Sequence, residues 1–248
     1  MPSSLHARRR RLTWIAVGGG AAAVVAAVAA LGGGSGDPVP RDRPAAAVSP
    51  STGKATPDDR QKSLLALARR DPKDPLALGR ADAPVVLIAY EDFQCPFCGR
   101  FARETKPELV RSYVDKGVLR IEWRNYPVFG AESERVARAS WAAGRQGRFW
   151  QFHDVVYAEE RPRNKGVFSS SRLREMAREA GVADLDRFDA DAKSEAAGVS
   201  VSRDQEEGYA VGVPSTPAFL VNATPVLGAQ PLGTFTAAVE KAAKEAAR

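Results

Sequence analysis

The hydrophobic pattern between residues 85 and 126 changes period twice. Val85–Tyr90 (VVLIAY) is an unbroken apolar run of strand length, the pattern of a strand buried on both faces. Val118–Tyr126 alternates instead, with Leu119, Ile121 and Trp123 on one face, which predicts a second strand. Between them the spacing predicts a helix from Cys95 to about Lys116, kinked at Pro107 and stopped at Gly117. Strand, helix and strand make a βαβ unit. Upstream, Asp59–Arg70 reads as a short accessory helix with Leu64, Leu65 and Ala68 on one side, ended by Pro72 and Pro75; the folded core begins near Leu76.

A helical region follows, from Ala131 to about Gly212. Val136, Ala139, Ser140 and Ala143 mark one helix, and Phe149, Phe152 and Val156 a second. Ser171 is expected to cap a third, carrying Leu173, Met176, Ala177 and Ala180 and closed by Gly181; Asp184 is expected to cap a fourth with Leu185 and Phe188. Strand character returns at Ala218–Asn222 and Pro225–Ala229. Thr234–Ala247 closes the chain as an Ala-rich helix with Phe235, Ala238, Val239 and Ala242 on its apolar face. There is no internal repeat.

The amino terminus has a different pattern. Arg8–Arg11 form a positive cluster, and Leu12–Leu31 is uncharged and apolar. As a helix that stretch would span about 30 Å, the hydrocarbon thickness of a bilayer. The arginines should stay cytoplasmic and everything after residue 34 should lie outside. The expected organisation is a basic tail (1–11), a single transmembrane anchor (12–34), a small, polar, Pro-rich flexible linker (35–60) and one folded domain (61–248), with its helical insertion at about 131–212. The alternative is a cleaved signal peptide with Ala27-Val28-Ala29 at the cleavage site, which gives a secreted protein. Either reading puts the domain in an oxidising compartment.

The net charge of +6 invites a nucleic-acid reading, but residues 1–44 hold six Arg against Asp37 and Asp42, which leaves only +2 for the rest. No basic stripe interleaved with aromatics is present, so no nucleic-acid partner is expected.

The chain has two cysteines, Cys95 and Cys98, in the run Cys95-Pro96-Phe97-Cys98. Thiol–disulfide exchange needs a thiolate that attacks and a nearby thiol that resolves the mixed disulfide. At a helix start, unpaired N–H groups and the macrodipole favour the thiolate of the first cysteine, and the second lies about one turn on. Pro96 suits the first helical turn. Cys95 is therefore assigned as the exposed nucleophile and Cys98 as the more buried, resolving thiol. Phe97 cannot donate a hydrogen bond to the thiolate, so the Cys95 pKa should lie below the free value but above the ~3.5 of the strongest oxidants. A zinc site would need further ligands, and the two histidines, His6 and His153, are distant in sequence. No metal and no cofactor is expected beyond the redox-active Cys95–Cys98 disulfide. Ser215-Thr216-Pro217 precedes the strand at Ala218. Pro217 is a candidate cis peptide, whose formation would leave Thr216 backbone groups free to dock an extended substrate.

From about Asp74 to Ala243 the chain resembles bacterial DsbA-like proteins. Ala83-Pro84-Val85 and Asp92-Phe93-Gln94-Cys95-Pro96-Phe97-Cys98 resemble the family's first strand and active site. Gln146–Asp154 resembles part of its helical insertion, Gly212–Phe219 its cis-Pro loop, and Gly228-Ala229-Gln230 the end of its last strand. The resemblance implies an α/β, thioredoxin-like fold with an inserted helical subdomain. It also implies disulfide exchange with exported protein or peptide substrates that carry thiols, and recycling by a membrane redox partner of the DsbB or vitamin K epoxide reductase-like kind. Two readings compete with an oxidase: a reductase or isomerase using the same cysteines, and a non-catalytic thioredoxin-fold module that binds a metal or a client. The sequence departs from the family six residues before Cys95, where many members hold a buried acid and this chain has Ala89. Proton transfer to Cys98 would then fall to Glu91, Asp92 or water, although both acids read first as exposed turn residues. Asn222 is followed by Ala223 rather than the usual Gly. His153 reads as a packed histidine, and Phe149, Trp150 and Phe152 as core.

Overall fold

The computed structural model describes residues 56–248. The expected basic tail, the anchor or signal segment and the linker up to residue 55 lie outside the described residues. Among the described residues, no helix is long and apolar enough to cross a membrane.

Helix α1, Pro57–Leu65, starts inside the stretch expected to be linker. The reason is a capping box: Thr56 Oγ1 accepts from the Asp59 N–H, and the Asp59 carboxylate accepts from the Thr56 N–H. The helix ends at Leu65, short of the expected Arg70 and of the two prolines, and the chain passes through a left-handed residue at Arg70 (φ 48°). A two-residue strand, β1 (Ala77–Leu78), follows; it is too short to leave a periodic signal. Then come β2 (Val85–Glu91), helix α2, and β3 (Leu119–Asn125).

Helix α2 is one helical run in four parts: an α turn Pro96–Arg100, a π segment Phe101–Thr105, an α turn Lys106–Leu109 and a second π segment Val110–Val114. The kink expected at Pro107 is expressed as wide turns, since Pro107 offers no N–H to the preceding turn.

The insertion holds five helices: α3 (Ala131–Gly144), α4 (Phe149–Tyr157), α5 (Ser170–Glu179), α6 (Leu185–Lys193) and α7 (Glu195–Val211). Ser169, rather than Ser171, caps α5 through its hydroxyl to the Arg172 N–H; three serines in a row made that register ambiguous. Helix α7 was not anticipated as a separate element. It is capped by Ser194 and ended by Gly212 at φ 77°, and the side it buries carries only Ala197, Val201, Asp204 and Gly208. The chain then forms β4 (Ala218–Val221), β5 (Thr224–Leu227) and α8 (Leu232–Ala246).

The sheet order is β1-β3-β2-β4-β5. Only β2 and β3 run parallel, in register from Val85↔Leu119 to Glu91↔Asn125; the other pairs are antiparallel. Pro225 lies on the edge strand, where a missing N–H is tolerated. One face of β2 (Val85, Leu87, Ala89) packs with Phe101, Leu109, Phe219 and Phe235; the other (Val86, Ile88, Tyr90) packs with Tyr126 and Leu220. The helical insertion encloses a third apolar cluster that includes both cysteines, Phe93 and Trp123.

The polar alternates of β3 are buried as well. Glu122 accepts from the backbone N–H groups of Arg69 (3.0 Å) and Arg70 (2.8 Å) and from the side chains of Arg120 and Arg124 (3.0 Å each). Arg124 continues to Glu207 at 2.7 Å, and Arg69 bridges Asp204 and Glu207. This network fastens the segment after α1 and helix α7 onto the sheet. Burial alone would raise the Glu122 pKa; Arg124, the two backbone donors and Arg120 outweigh it and hold the group lower. Its stabilisation is therefore present above the unfolded carboxyl pKa and lost as pH falls through the lower folded value. Glu122→Leu leaves the buried Arg120 without a carboxylate, leaves Arg124 with Glu207 alone, and leaves the Arg69 and Arg70 N–H groups without their acceptor. It should cost about 3–5 kcal/mol in urea denaturation at neutral pH, with the difference from wild type shrinking on acidification.

Candidate active site

Strand β2 ends at Glu91, and the next three residues turn the chain into α2. Asp92 makes that turn rigid. Its carboxylate accepts from the Gln94 N–H (2.7 Å), Ser133 Oγ (2.7 Å) and the N–H groups of Val128 (2.6 Å) and Phe129 (3.2 Å). Its carbonyl accepts from the Cys95 N–H and from the Tyr157 hydroxyl, each at 2.9 Å. Asp92 thus binds the turn to α3, α4 and the loop after β3, and both its oxygens are occupied.

Cys95 is the N-cap residue of α2 and Pro96 its first helical residue. As a thiol, Cys95 donates to the Thr216 carbonyl, with Sγ 3.3 Å from the oxygen. Thr216 and Pro217 are joined by a cis peptide, and Thr216 Oγ1 is buried with no hydrogen-bond partner. The Cys95 pKa is lowered to about 6: a hydrogen bond from Cys98 is the largest cause, burial opposes it, and Thr216 and the N–H groups of Cys98 and Phe97 add to the lowering. Cys98 behaves in the opposite way. It is fully buried, and burial first, then its bond to Cys95 and the nearby Glu91 charge, push its pKa above the ordinary thiol value. A hydrogen bond from the desolvated Cys98, helped by Thr216 and by fixed N–H donors at the helix start, thus divides two identical side chains into a thiolate and a thiol.

Cys95 differs from expectation in being nearly covered, at 3% exposure. It shows only an edge to a groove of about 550 Å³. Pro96, Phe97, Phe129, Thr216 and Pro217 line that groove, and Phe97 is 58% exposed.

Glu91 and Asp92 are not exposed turn residues, since each is 2% exposed. The strand runs one pair further than the apolar pattern suggested and carries Glu91 into the interior beside Cys98. Burial, then the Cys95 charge, raise the Glu91 pKa well above the ordinary range; the Lys106 charge and a hydrogen bond from Cys98 oppose this. Glu91 Oε2 has no partner. Of the two acids, only Glu91 has an unoccupied oxygen at the buried thiol.

Sequence reasoning missed Lys106 and Tyr157. Lys106 is buried on α2, its ammonium 5.0 Å from the Trp150 ring centre and bonded to Asp154; a lysine in a polar helical stretch gives no sign of this. Tyr157 closes the site from α4 through Asp92. His153 is packed, against Tyr157 (4.9 Å between centroids) and Trp123 (5.1 Å). Burial, then Lys106, lower its pKa to about 4, so it is neutral at pH 7. Phe149 and Phe152 are core residues, and Trp150 is half-buried against it.

A thioredoxin family model matches residues 71–241. Among curated proteins, the chain is 29% identical over 149 residues to a probable disulfide bond formation protein D of Bacillus cereus, covering 59% of this chain and 69% of that one. Among solved structures, it is similar to oxidised BdbD from Bacillus subtilis (TM-score 0.65, 22% identity, 70% of this chain and 95% of that one). It is also similar to a thioredoxin-like oxidoreductase from Silicibacter pomeroyi (TM-score 0.61, 26% identity, 74% and 97%).

The division between the two thiols is directly measurable. Thiolate absorbance of the reduced chain should titrate with a midpoint near the Cys95 value of about 6. Because the bond from Cys98 is the largest cause of that lowering, Cys98→Ala should move the midpoint up toward the free-cysteine value of about 8.5.

Proposed function

The chain belongs to the thioredoxin family and is a DsbA-like thiol–disulfide oxidoreductase, and we propose that it works as a disulfide donor to exported proteins through Cys95 and Cys98. The observation that carries the direction is the opposed proton affinity of the two sulfurs, with Cys95 held at about 6 and Cys98 above the ordinary thiol value. A stabilised thiolate exists only in the dithiol form. It favours reduction of the Cys95–Cys98 bond and so makes that bond oxidising.

In the proposed reaction a substrate thiolate attacks Cys95 Sγ. The Cys95–Cys98 bond breaks, a substrate–Cys95 disulfide forms, and the electron pair goes to Cys98. Glu91, whose affinity for a proton is raised by burial, supplies the proton that turns Cys98 into a thiol. A second substrate thiolate then attacks the substrate sulfur, releases the substrate as a disulfide and leaves Cys95 as a thiolate. Two electrons pass from substrate to protein. Pro96 and Phe97 shape the edge of the groove, and Thr216 and Pro217 form the wall against which an extended substrate would lie. Asp92 holds the turn and takes no proton.

Residues 12–34 are proposed to anchor the chain in the membrane, with the catalytic domain outside. The apolar run Leu12–Leu31 behind Arg8–Arg11 supports this. A membrane redox protein of the DsbB or vitamin K epoxide reductase-like kind would take the two electrons onward.

The deciding measurement is the reduction potential of the couple, equilibrated against glutathione. A value of about −120 to −180 mV is expected; one near about −270 mV would assign the chain to reduction or isomerisation instead. Cys95→Ser should abolish turnover, and Cys98→Ser should accumulate mixed disulfides with substrate. In Glu91→Gln the carboxyl can no longer exchange a proton. The step that makes or breaks the bond to Cys98 should slow by about tenfold or more, followed as release of a coloured thiol from a nitroaromatic disulfide by the reduced chain.

A further inference from the structure

The walls beside Cys95 differ in charge. The cleft on one flank is lined by Arg103 and Arg161 together with Glu160 and Glu159, and these pair off (Arg103–Glu160 3.3 Å, Arg161–Glu159 2.7 Å). The larger groove, on the Phe129 and Thr216 side, is lined by Arg100 and Arg163 and by no carboxylate. Arg100 contacts Glu104 at 3.0 Å, a surface pair of the same weak kind as the two on the other flank, so the charge that sets this groove apart is Arg163. Arg163 has no carboxylate partner among the described residues.

Arg163 is also held in place. Its guanidinium lies over the Phe129 ring, 4.4 Å from the ring centre. The next residue, Asn164, is bonded twice to Gln94, the residue immediately before Cys95. The Asn164 N–H donates to Gln94 Oε1 at 2.7 Å, and Gln94 Nε2 donates to Asn164 Oδ1 at 3.1 Å. Gln94 is buried and also donates to Ser133 Oγ at 2.9 Å. Asn164 takes a left-handed backbone (φ 54°), which asparagine tolerates better than most residues. Two further N–H groups of the loop, from Gly166 and Phe168, are taken by the Glu132 carboxylate. The loop that carries Arg163 is therefore tied to the residue that precedes the reacting sulfur. A guanidinium held over an aromatic ring uses none of its N–H donors on that contact and keeps them available to a carboxylate.

We propose that this groove selects acidic cysteine segments: extended peptides with a carboxylate within about two residues of the reacting cysteine, a distance a strand covers in about 7 Å. Arg163 takes the carboxylate, Arg100 assists, and an apolar neighbour lies against Phe97 and Phe129. The inference rests on the disulfide-donor reading and names the substrate class for it.

The test uses the oxidised full-length chain and three dithiol peptides that differ only in carrying Glu, Ala or Lys beside one cysteine. Single-turnover oxidation is stopped by alkylation and counted by mass spectrometry. Each rate is divided by the same peptide's rate with a small uncharged disulfide, which removes the effect of the neighbouring charge on the thiol itself. The expected order is Glu, Ala, Lys, with a Glu-to-Lys ratio of about fivefold, collapsing toward unity at about 1 M salt. Arg163→Glu should invert the order. Asn164→Gly, which permits the left-handed backbone but removes the side-chain acceptor for Gln94, should reduce the ratio. Oxidation of all three peptides at one normalised rate, or an order unchanged in Arg163→Glu, overturns the inference alone. Failure of all three to be oxidised overturns the disulfide-donor reading and the inference with it.

Discussion

The structure depends on the burial of both faces of β2. A strand covered on each side delivers its carboxyl end into a region where water cannot solvate charge, and Glu91, Cys98 and Lys106 all lie there. In such a place an ionised group persists only if fixed donors or opposite charges replace its hydration. Cys95 has those donors, as the N-cap of α2 and the neighbour of Cys98 and Thr216. Cys98 has a single such donor, the Asp92 N–H, which burial, the bond to Cys95 and the Glu91 charge outweigh, so its pKa stays above the ordinary thiol value. The chemical difference between the two sulfurs is thus a consequence of where the strand ends and the helix begins.

The same constraint explains why so much of the site is devoted to Asp92, whose carboxylate is bonded to the turn and its neighbours and not to a sulfur. A thiolate stabilised by backbone N–H groups is only as stable as the turn that aims them. Four hydrogen bonds to one carboxylate tie that turn to α3 and to the loop after β3, and two more to its carbonyl tie it to Cys95 and Tyr157. Burial raises the Asp92 pKa and those four bonds lower it again, without fully compensating. On the far side of the sheet, the Glu122 network does comparable work: it pins the segment after α1, so the sheet that bears β2 has no loose edge there.

Elements that express one strong period were legible in the sequence. Val85–Tyr90, the alternation of Leu119, Ile121 and Trp123, and the spacing of Cys95, Pro96 and Cys98 each state a local structure without reference to anything distant. The thioredoxin-like fold with a helical insertion was expected from the family resemblance of which these elements are part. The unread elements are those whose meaning is set by partners far along the chain. Helix α7 buries Asp204 and Gly208, residues that read as solvent-facing, because Arg69 and Tyr126 meet them from elsewhere. Arg120, Glu122 and Arg124 look like the wet face of an edge strand until the segment at Arg69 and Arg70 closes over them. Lys106 likewise depends on Asp154, from another helix.

The position of the buried acid shows how far one strand can be edited without loss of its geometry. The family this chain resembles holds its acid six residues before the nucleophile, where this chain has Ala89. Side chains two apart on a strand share a face, so Glu91 lies on the same side of β2 as Ala89, one pair nearer to α2. The β2–β3 register carries this through, with Ala89 opposite Trp123 and Glu91 opposite Asn125. Ala89 then packs as core among Phe101 and Phe219, and the carboxyl moves toward the helix that carries Cys98. A move by one residue would have turned the acid to the opposite face, among Tyr90 and Tyr126, away from the thiols. Asp92, one residue beyond Glu91, is accordingly spent on the turn. Strand periodicity leaves Glu91, rather than Asp92, as the carboxyl whose charge bears on Cys98.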